Sequence, residues 1–136
     1  MDSTVPRPIA ALLESHTFAL LARIILTSPF WSSGLLKAFD FGAAVAEQQA
    51  FGLPAPAVLA GLTILVQLGG SLLVIVGRAV WLGAGMLGVF TFLATLIAHA
   101  FWSSPPDMVM RQFAVFMEHM GLIGGLILAA ILSRRP

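Results

Sequence analysis

Long apolar runs, separated by short polar or proline-containing breaks, make up most of the chain. Four of these runs are about 19 to 25 residues long, which is the length that an α-helix needs to cross the hydrocarbon core of a bilayer. They predict membrane spans over residues 18–36, 57–76, 79–102 and 108–132. Because backbone polar groups in lipid must be paired within their own segment, the pattern predicts an all-α, four-helix membrane bundle. We expect it to form one domain over residues 1–136.

The breaks between the runs carry their own signals. Residues 34–56 mix apolar and polar side chains, which indicates a short amphipathic helix near the membrane interface between the first two spans. Gly77-Arg78 predicts a tight turn, and the Ser-Ser-Pro-Pro segment at 103–106 predicts a helix end because prolines lack backbone donors. Pro29 lies inside the first run and predicts a kink or an irregular turn there.

Composition supports lipid as the solvent for this chain. Only 10% of the residues are charged and 59% are hydrophobic, and the mean hydropathy is +0.98. A soluble domain of this size would need a more polar surface. The net charge of +1 is not gathered into a basic stripe, which excludes nucleic-acid binding. The absence of cysteine excludes disulfides, thiolate nucleophiles and iron-sulfur clusters within the chain.

The distribution of basic residues predicts the orientation. Four arginines fall at one membrane face and two basic residues fall at the other, so we expect both termini in the cytoplasm. The first group is Arg7, Arg78, Arg134 and Arg135, and the second is Lys37 and Arg111. The segment at 44–46 has the small residues of a signal peptidase site. Because the preceding run contains Arg23 and is longer than a signal-peptide core, we expect that run to remain as a span.

Polar side chains inside the predicted spans are the candidates for chemistry, because intramembrane polar groups are costly and by default mark functional sites. At a rise of about 1.5 Å per residue, four of them fall in one layer near the membrane centre. They are Arg23, Gln67, Glu118 and His119. We therefore expect a buried polar pocket in which an Arg23–Glu118 ion pair either only fixes helix register or also binds a ligand.

His119, near the middle of the fourth predicted span, and His99, near the end of the third, have different expected roles. His119 points about 100° away from Glu118 around its helix, so the two cannot face one partner helix directly. Either His119 accepts a hydrogen bond from Gln67, or it donates to a quinone carbonyl or relays its proton. His99 is expected near the outer interface, either hydrated or at the mouth of the pocket. Depths that differ by about 10 Å argue against a haem or metal shared by His99 and His119.

The order and spacing of short motifs along the chain supply a further signal. These motifs are Leu21-Ala22-Arg23, Gly34-Leu35-Leu36-Lys37, Gly52-Leu53-Pro54, Gln67-Leu68-Gly69-Gly70 followed by Gly77-Arg78, His99-Ala100-Phe101-Trp102, and the segment from Phe116 to Leu126. Together, over residues 18–132, they resemble the DoxX-like integral membrane proteins.

The resemblance implies a four-helix bundle in the bacterial cytoplasmic membrane. It also implies a link to membrane oxidoreductase complexes, including a subunit of thiosulfate:quinone oxidoreductase, and to resistance against quinone-like or oxidative stress. Two positions depart from the family pattern, because DoxX-like proteins commonly carry Glu in place of Gln67 and Lys-Asn in place of Glu118-His119. Either the acid has moved from the second span to the fourth, or a shared catalytic role has been lost.

These observations predict a small membrane subunit or accessory protein of a quinone-linked oxidoreductase system. In this interpretation Arg23, Gln67, Glu118, His119 and His99 bind a quinone-like headgroup. No haem, flavin or metal site is recognisable; the GAGMLG segment at 83–88 matches a dinucleotide motif but follows no strand. Electrons would therefore come through an oxidoreductase partner or the ligand itself, and no catalytic residue is assigned.

The alternative prediction is a noncatalytic membrane scaffold that anchors a redox partner protein. Its partner surface would be the amphipathic segment at 37–51 or the cytoplasmic ends around Arg78 and Arg134. A solute channel is disfavoured because four helices enclose little space unless the chain forms a homo-oligomer.

Overall fold

The computed structural model describes residues 4–135. Within this range the chain forms α1 (Arg7–Leu13), α2 (His16–Phe39), α3 (Phe41–Ala50), α4 (Pro56–Val76), α5 (Val80–Ala98) and α6 (Val109–Leu132), with a short 3-10 helix at Phe101–Ser103. Four helical segments are long and apolar enough to cross a membrane: α2, α4, α5 extended through the 3-10 helix, and α6. The predicted all-α fold with four spans is confirmed.

Helix boundaries follow local capping. Ser15 accepts a hydrogen bond from the backbone N–H of Phe18, so α2 begins before the predicted start of the first span. Asp40 ends α2 and then caps α3, because its carboxylate accepts from the N–H of Ala43 at 3.0 Å. The helix predicted within residues 34–56 is therefore α3, which is joined to α2 through a single residue.

Pro29 lies inside α2 without interrupting it, so of the two predicted alternatives, a kink or an irregular turn, the irregular turn does not form. A proline cannot donate to the carbonyl one turn earlier, which leaves the oxygen of Ile25 without its helical partner. The hydroxyl of Ser28 donates to this oxygen at 2.7 Å. The indole N–H of Trp31 donates to the carbonyl of Ile24 at 3.1 Å. Side chains on the same helix therefore pair the carbonyls around the proline.

Glycines bring α4 and α5 into close contact. A Cβ on Gly83 would lie 2.6 Å from the carbonyl oxygen of Gly70, and one on Gly70 would lie 2.8 Å from Leu87 Cγ. The absence of a side chain at Gly125 likewise lets Leu26 of α2 pack closely against α6. A Cβ at Gly69, Gly85, Gly88 or Gly121 would meet no atom within 4 Å. Small residues therefore allow close helix contacts at only some positions of the bundle.

The buried apolar core occupies the half of the bundle opposite α3. Its members come from the second half of α4, the first half of α5 and the second half of α6, together with Phe30 of α2. They are Phe30, Val74, Val80, Ala84, Leu87 and Leu126. The other half, which we call the α3 end, is less tightly filled and contains the site described below.

The Gly83 contact provides a matched test of this packing. Changing Gly83→Ala should lower the free energy of unfolding by about 1–3 kcal/mol, because the new methyl group would push α4 away from α5. Changing Gly85→Ala on the same helix meets open space, so it should leave stability unchanged or raise it through helix propensity. Thermal denaturation of the detergent-solubilised protein measures both, and equal shifts would contradict the close contact.

Candidate ligand-binding site

A cavity of about 470 Å³ lies at the α3 end, between the ends of α2, α4 and α5, the middle of α6, and α3. This volume is in the range of small-molecule sites in proteins. Its wall is mainly apolar, but polar side chains from all five helices also reach it. They are Ser33, Lys37, Glu47, Gln48, Thr63, Gln67, Thr91, His99 and His119. An apolar cavity with a few polar groups is typical of a ligand site.

His119 is oriented by a series of hydrogen bonds along α5. Thr91 donates to the carbonyl of Leu87 at 2.6 Å, and Thr95 donates to the carbonyl of Thr91 at 2.5 Å. The Thr95 hydroxyl has only one hydrogen, so at its 2.8 Å contact with His119 Nδ1 it must accept. His119 therefore donates through Nδ1–H. Within residues 4–135, Nε2 of this ring makes no hydrogen bond.

His99 has the same tautomer. Its Nδ1 lies 2.6 Å from Gln112 Oε1 of α6, and an amide oxygen only accepts, so Nδ1 carries the hydrogen. The rings of His99 and His119 are in edge-to-face contact, with centroids 5.1 Å apart and planes at 80°. Both therefore contribute to one wall of the cavity.

The depth difference expected for His99 and His119 implied that their side chains lie too far apart to meet, and this expectation is wrong. It was based on backbone rise alone, whereas helical side chains lean toward the N-terminus of their own helix. The helices α5 and α6 are antiparallel, so the side chain of His99 leans inward and that of His119 leans toward the α3 end. The two lean toward each other, which closes the distance between their rings.

Gln67 is a buried polar residue of the cavity wall whose side chain makes no hydrogen bond within the described residues. The residue is 5% exposed, and its Oε1 has no hydrogen-bond partner there. It does not bond to His119, whose Nδ1 pairs with Thr95 instead. A buried amide oxygen without a partner is energetically unfavourable, and natural proteins retain few of them. Gln67 is therefore the strongest indication that the cavity accepts a polar ligand.

An ion pair lies at the α3 end of the cavity. Lys37 Nζ of α2 is 2.7 Å from Glu47 Oε2 of α3, and the Glu47 side chain is 45% exposed. The pair connects the two helices across Asp40 and leaves neither charge unpaired at the cavity rim. Gln48 of α3 lies next to it and is buried against the same cavity.

Arg23 and Glu118 do not meet, and the predicted ion pair between them is absent from the described residues. Arg23 lies against Gly77, where a Cβ would overlap its Nη1, at the turn between α4 and α5. There its charge faces the negative end of the α4 dipole. Glu118 is exposed on the outer face of α6, about 14 Å along that helix from Val109.

The direction of side-chain lean explains this correction as well. Arg23 lies toward the end opposite α3 and leans further that way, because α2 starts there. Glu118 lies nearer the α3 end and leans toward it, since α6 starts there. The two side chains diverge, and neither of them lines the cavity. The single polar layer predicted for all four residues is therefore wrong, although Gln67 and His119 do share the site.

Comparison with known proteins bears on this arrangement. The family model DoxX matches residues 18–100, which is more than half of the chain. The chain belongs to the DoxX family. The DoxX match includes Gln67 and His99 but ends before α6, so Glu118 and His119 lie outside it. No curated protein and no solved structure gives a significant match.

Sequence reasoning missed several residues that build the site. Thr91 and Thr95 occur four residues apart on an apolar helix, and this spacing signals a polar stripe along one face. Gln112 lies near the start of α6 and gave no separate signal. In the described part of the chain, no three His, Cys, Asp or Glu side chains are grouped so that they could hold a metal ion.

Replacement of the unpaired amide tests whether the cavity is built for a ligand. Gln67→Met keeps an unbranched side chain and removes the unpaired oxygen, so it should raise the free energy of unfolding of the ligand-free protein by about 1 kcal/mol. Ser71→Ala on the same helix removes a hydroxyl that donates to the backbone oxygen of Gln67, and it should not stabilise. Thermal denaturation measures both, and a destabilised Gln67→Met variant would contradict the unpaired state.

Proposed function

We propose that this DoxX-family membrane protein is a subunit or accessory protein of a quinone-linked oxidoreductase system, and that its cavity binds a quinone-like headgroup. The observation that carries this proposal is a cavity of about 470 Å³ whose mainly apolar wall includes Gln67, a buried amide that makes no side-chain hydrogen bond within the described residues. The volume fits one substituted aromatic ring with part of an apolar tail. The link to quinone-linked complexes, which the resemblance to DoxX-like proteins implies, supports the choice of ligand.

The apolar wall of the cavity suits a flat ring. Phe30 of α2, Phe90 of α5 and Phe51, which follows α3, line it, and aromatic side chains pack well against planar rings. Gln67, His99 and His119 add polar groups to the same wall. This division between apolar and polar wall supports an amphipathic ligand rather than a small ion.

The chain contributes binding and orientation to such a system. The imidazoles of His99 and His119 are both held by hydrogen bonds through Nδ1, which fixes their orientation in the cavity wall. The electron donor or acceptor would be a partner oxidoreductase. With both termini in the bacterial cytoplasm, as the arginine distribution favours, the α3 end would lie at the outer face of the membrane.

Binding of a decyl-substituted benzoquinone tests the proposal directly. The protein in lipid nanodiscs should bind this probe saturably in at least one of its two redox forms, after partition into empty nanodiscs is subtracted. His119→Phe keeps an aromatic ring but removes the nitrogens, so it should weaken binding by about tenfold.

The matched control for this experiment is Glu118→Gln. It changes the residue next to His119, which faces away from the cavity. The variant should therefore bind the probe with the same affinity as the unchanged protein. Absence of saturable binding in both redox forms, or equal losses in the two variants, would overturn the proposed site.

The exposed position of Glu118 favours a second candidate function, in which a partner membrane protein docks on the outer face of α6. A carboxylate in the middle of a span is costly against lipid unless another polar group covers it. Gly121 is exposed one turn further along and meets no atom within 4 Å, so a second helix can approach closely there. A helix that presents a hydrogen-bond donor at this depth would satisfy the carboxylate.

Site-specific photo-crosslinking in cell membranes tests this partner surface. A photoreactive residue in place of Met117, which is 51% exposed on α6, should crosslink to a defined membrane protein. The crosslink should disappear when Glu118→Leu is added, because the polar contact is lost. The same residue at Val58 of α4, which is 61% exposed, should give lipid adducts only. Crosslinking that is independent of Glu118 would contradict the interface.

A further inference from the structure

A second cavity lies on the outside of the bundle, in a groove between α5 and α6. Its volume is about 480 Å³, and its wall is formed by apolar side chains and glycines. It includes Trp81 in the first turn of α5 and Ile131 in the last turn of α6, so it reaches the end of the bundle opposite α3. We call it the α5–α6 groove. It shares only Leu93 with the cavity at the α3 end.

The length of the α5–α6 groove matches that of a lipid chain in one leaflet. From Trp81 to Phe92 the axis of α5 rises about 17 Å. The hydrocarbon of one leaflet is about 15 Å deep, which is half of the bilayer core. Gly85 and Gly88 leave bare backbone in the wall, and a Cβ at either position would meet no atom within 4 Å. The groove therefore offers an open path for one hydrocarbon chain.

Trp81 indicates where the mouth of the groove lies in the membrane. Its side chain is 60% exposed and lies in the first turn of α5. Exposed tryptophans of membrane proteins are enriched at the level of the lipid headgroups, because the indole is apolar but carries one polar N–H. The mouth therefore lies at the headgroup level, and the rest of the groove extends into the hydrocarbon.

Arginines lie beside this mouth. Arg78 is in the turn just before α5, and the N–H of Arg134 donates to the carbonyl of Ile131 at 3.1 Å, which keeps Arg134 next to the groove. Arg135 follows it. All three arginines are exposed, and none of them forms an ion pair within residues 4–135. Basic pockets between transmembrane helices are typical binding sites for anionic phospholipid headgroups.

The charge of this whole end of the bundle favours an anionic occupant over a second copy of the chain. The same end also carries Arg7 and Arg23, and Glu14 is its only acidic side chain among residues 4–135. Two copies that insert in the same direction would bring two such basic ends together, and their charges would repel. An anion at the mouth would instead be attracted by several arginines at once.

We propose that the α5–α6 groove binds one molecule of an anionic glycerophospholipid. One acyl chain lies along the groove against Gly85 and Gly88, and the phosphate pairs with Arg78 and Arg134 at the mouth. This site is separate from the cavity at the α3 end and from the surface around Glu118, which does not line the groove. It therefore stands independently of the proposed quinone-linked function.

Native mass spectrometry of the full chain tests the site with two lipid probes that differ only in the headgroup. The probes are phosphatidylglycerol and phosphatidylcholine with identical acyl chains, each titrated into the delipidated protein in detergent. Phosphatidylglycerol should form a saturable adduct of one lipid per chain, with an affinity at least about tenfold higher than that of phosphatidylcholine. The reason is that more than one arginine attracts the anionic headgroup.

Two matched pairs of variants locate the bound lipid. Arg78→Gln should weaken phosphatidylglycerol binding about fivefold, whereas Arg111→Gln removes the same charge at the α3 end and should leave the affinity unchanged. Gly88→Leu fills the groove and should weaken binding about tenfold, because the acyl chain loses its apolar contacts. Gly61→Leu on α4 also meets open space but lies outside the groove, so it should have no effect.

Several outcomes would overturn the proposal. Equal affinities for the two lipids would show that the arginines do not select the headgroup, and this comparison needs no variant. Equal losses within either pair of variants would show that the lipid binds elsewhere. Because the chain contains no cysteine, Val89→Cys in bilayers also detects a second copy in the groove. It should not crosslink, and efficient disulfide formation between copies would replace the lipid by a dimer contact.

Discussion

A polar group in hydrocarbon has no water with which to form a hydrogen bond, so it needs a partner within the protein. Most features of this structure follow from that constraint. The backbone satisfies it by forming helices. Hydroxyls satisfy it by donating to carbonyls of their own helix, as Thr27 does to Arg23 and Ser71 does to Gln67. The charges of Lys37 and Glu47 satisfy it by pairing.

Gln67 and Glu118 are two polar residues without a side-chain partner in the described part of the chain, and they mark different surfaces of the protein. Oε1 of Gln67 is buried and unpaired inside the bundle, whereas the carboxylate of Glu118 is exposed on the outside of α6. The first lies beside a cavity with a mainly apolar wall, so a small ligand is its proposed partner. The second is most simply satisfied by another helix, because the surface around it is open. A ligand site and a partner surface can therefore coexist on opposite faces of α6.

Much of the fold was predictable from the sequence, because span length and hydropathy are properties of each segment alone. The four spans, the helix that follows Lys37 and the break before α6 all arise from local composition. The site was predictable only in part. Gln67 and His119 do line one cavity, as expected, but the pairing of Arg23 with Glu118 depended on how helices rotate and on where side chains lean. The rise per residue along a helix gives the depth of a residue in the membrane but not the direction of its side chain. The contact between His99 and His119 was missed for the same reason.

The contact between Gly70 and Gly83 has a mechanical meaning for the α3 end of the bundle. It holds α4 and α5 together at one end, while the cavity separates their other ends. The two helices are therefore in close contact at one end and further apart at the other. The close approach of the two backbones at the glycines sets the spacing of α4 and α5 beside the cavity, and a larger side chain at Gly83 would widen it.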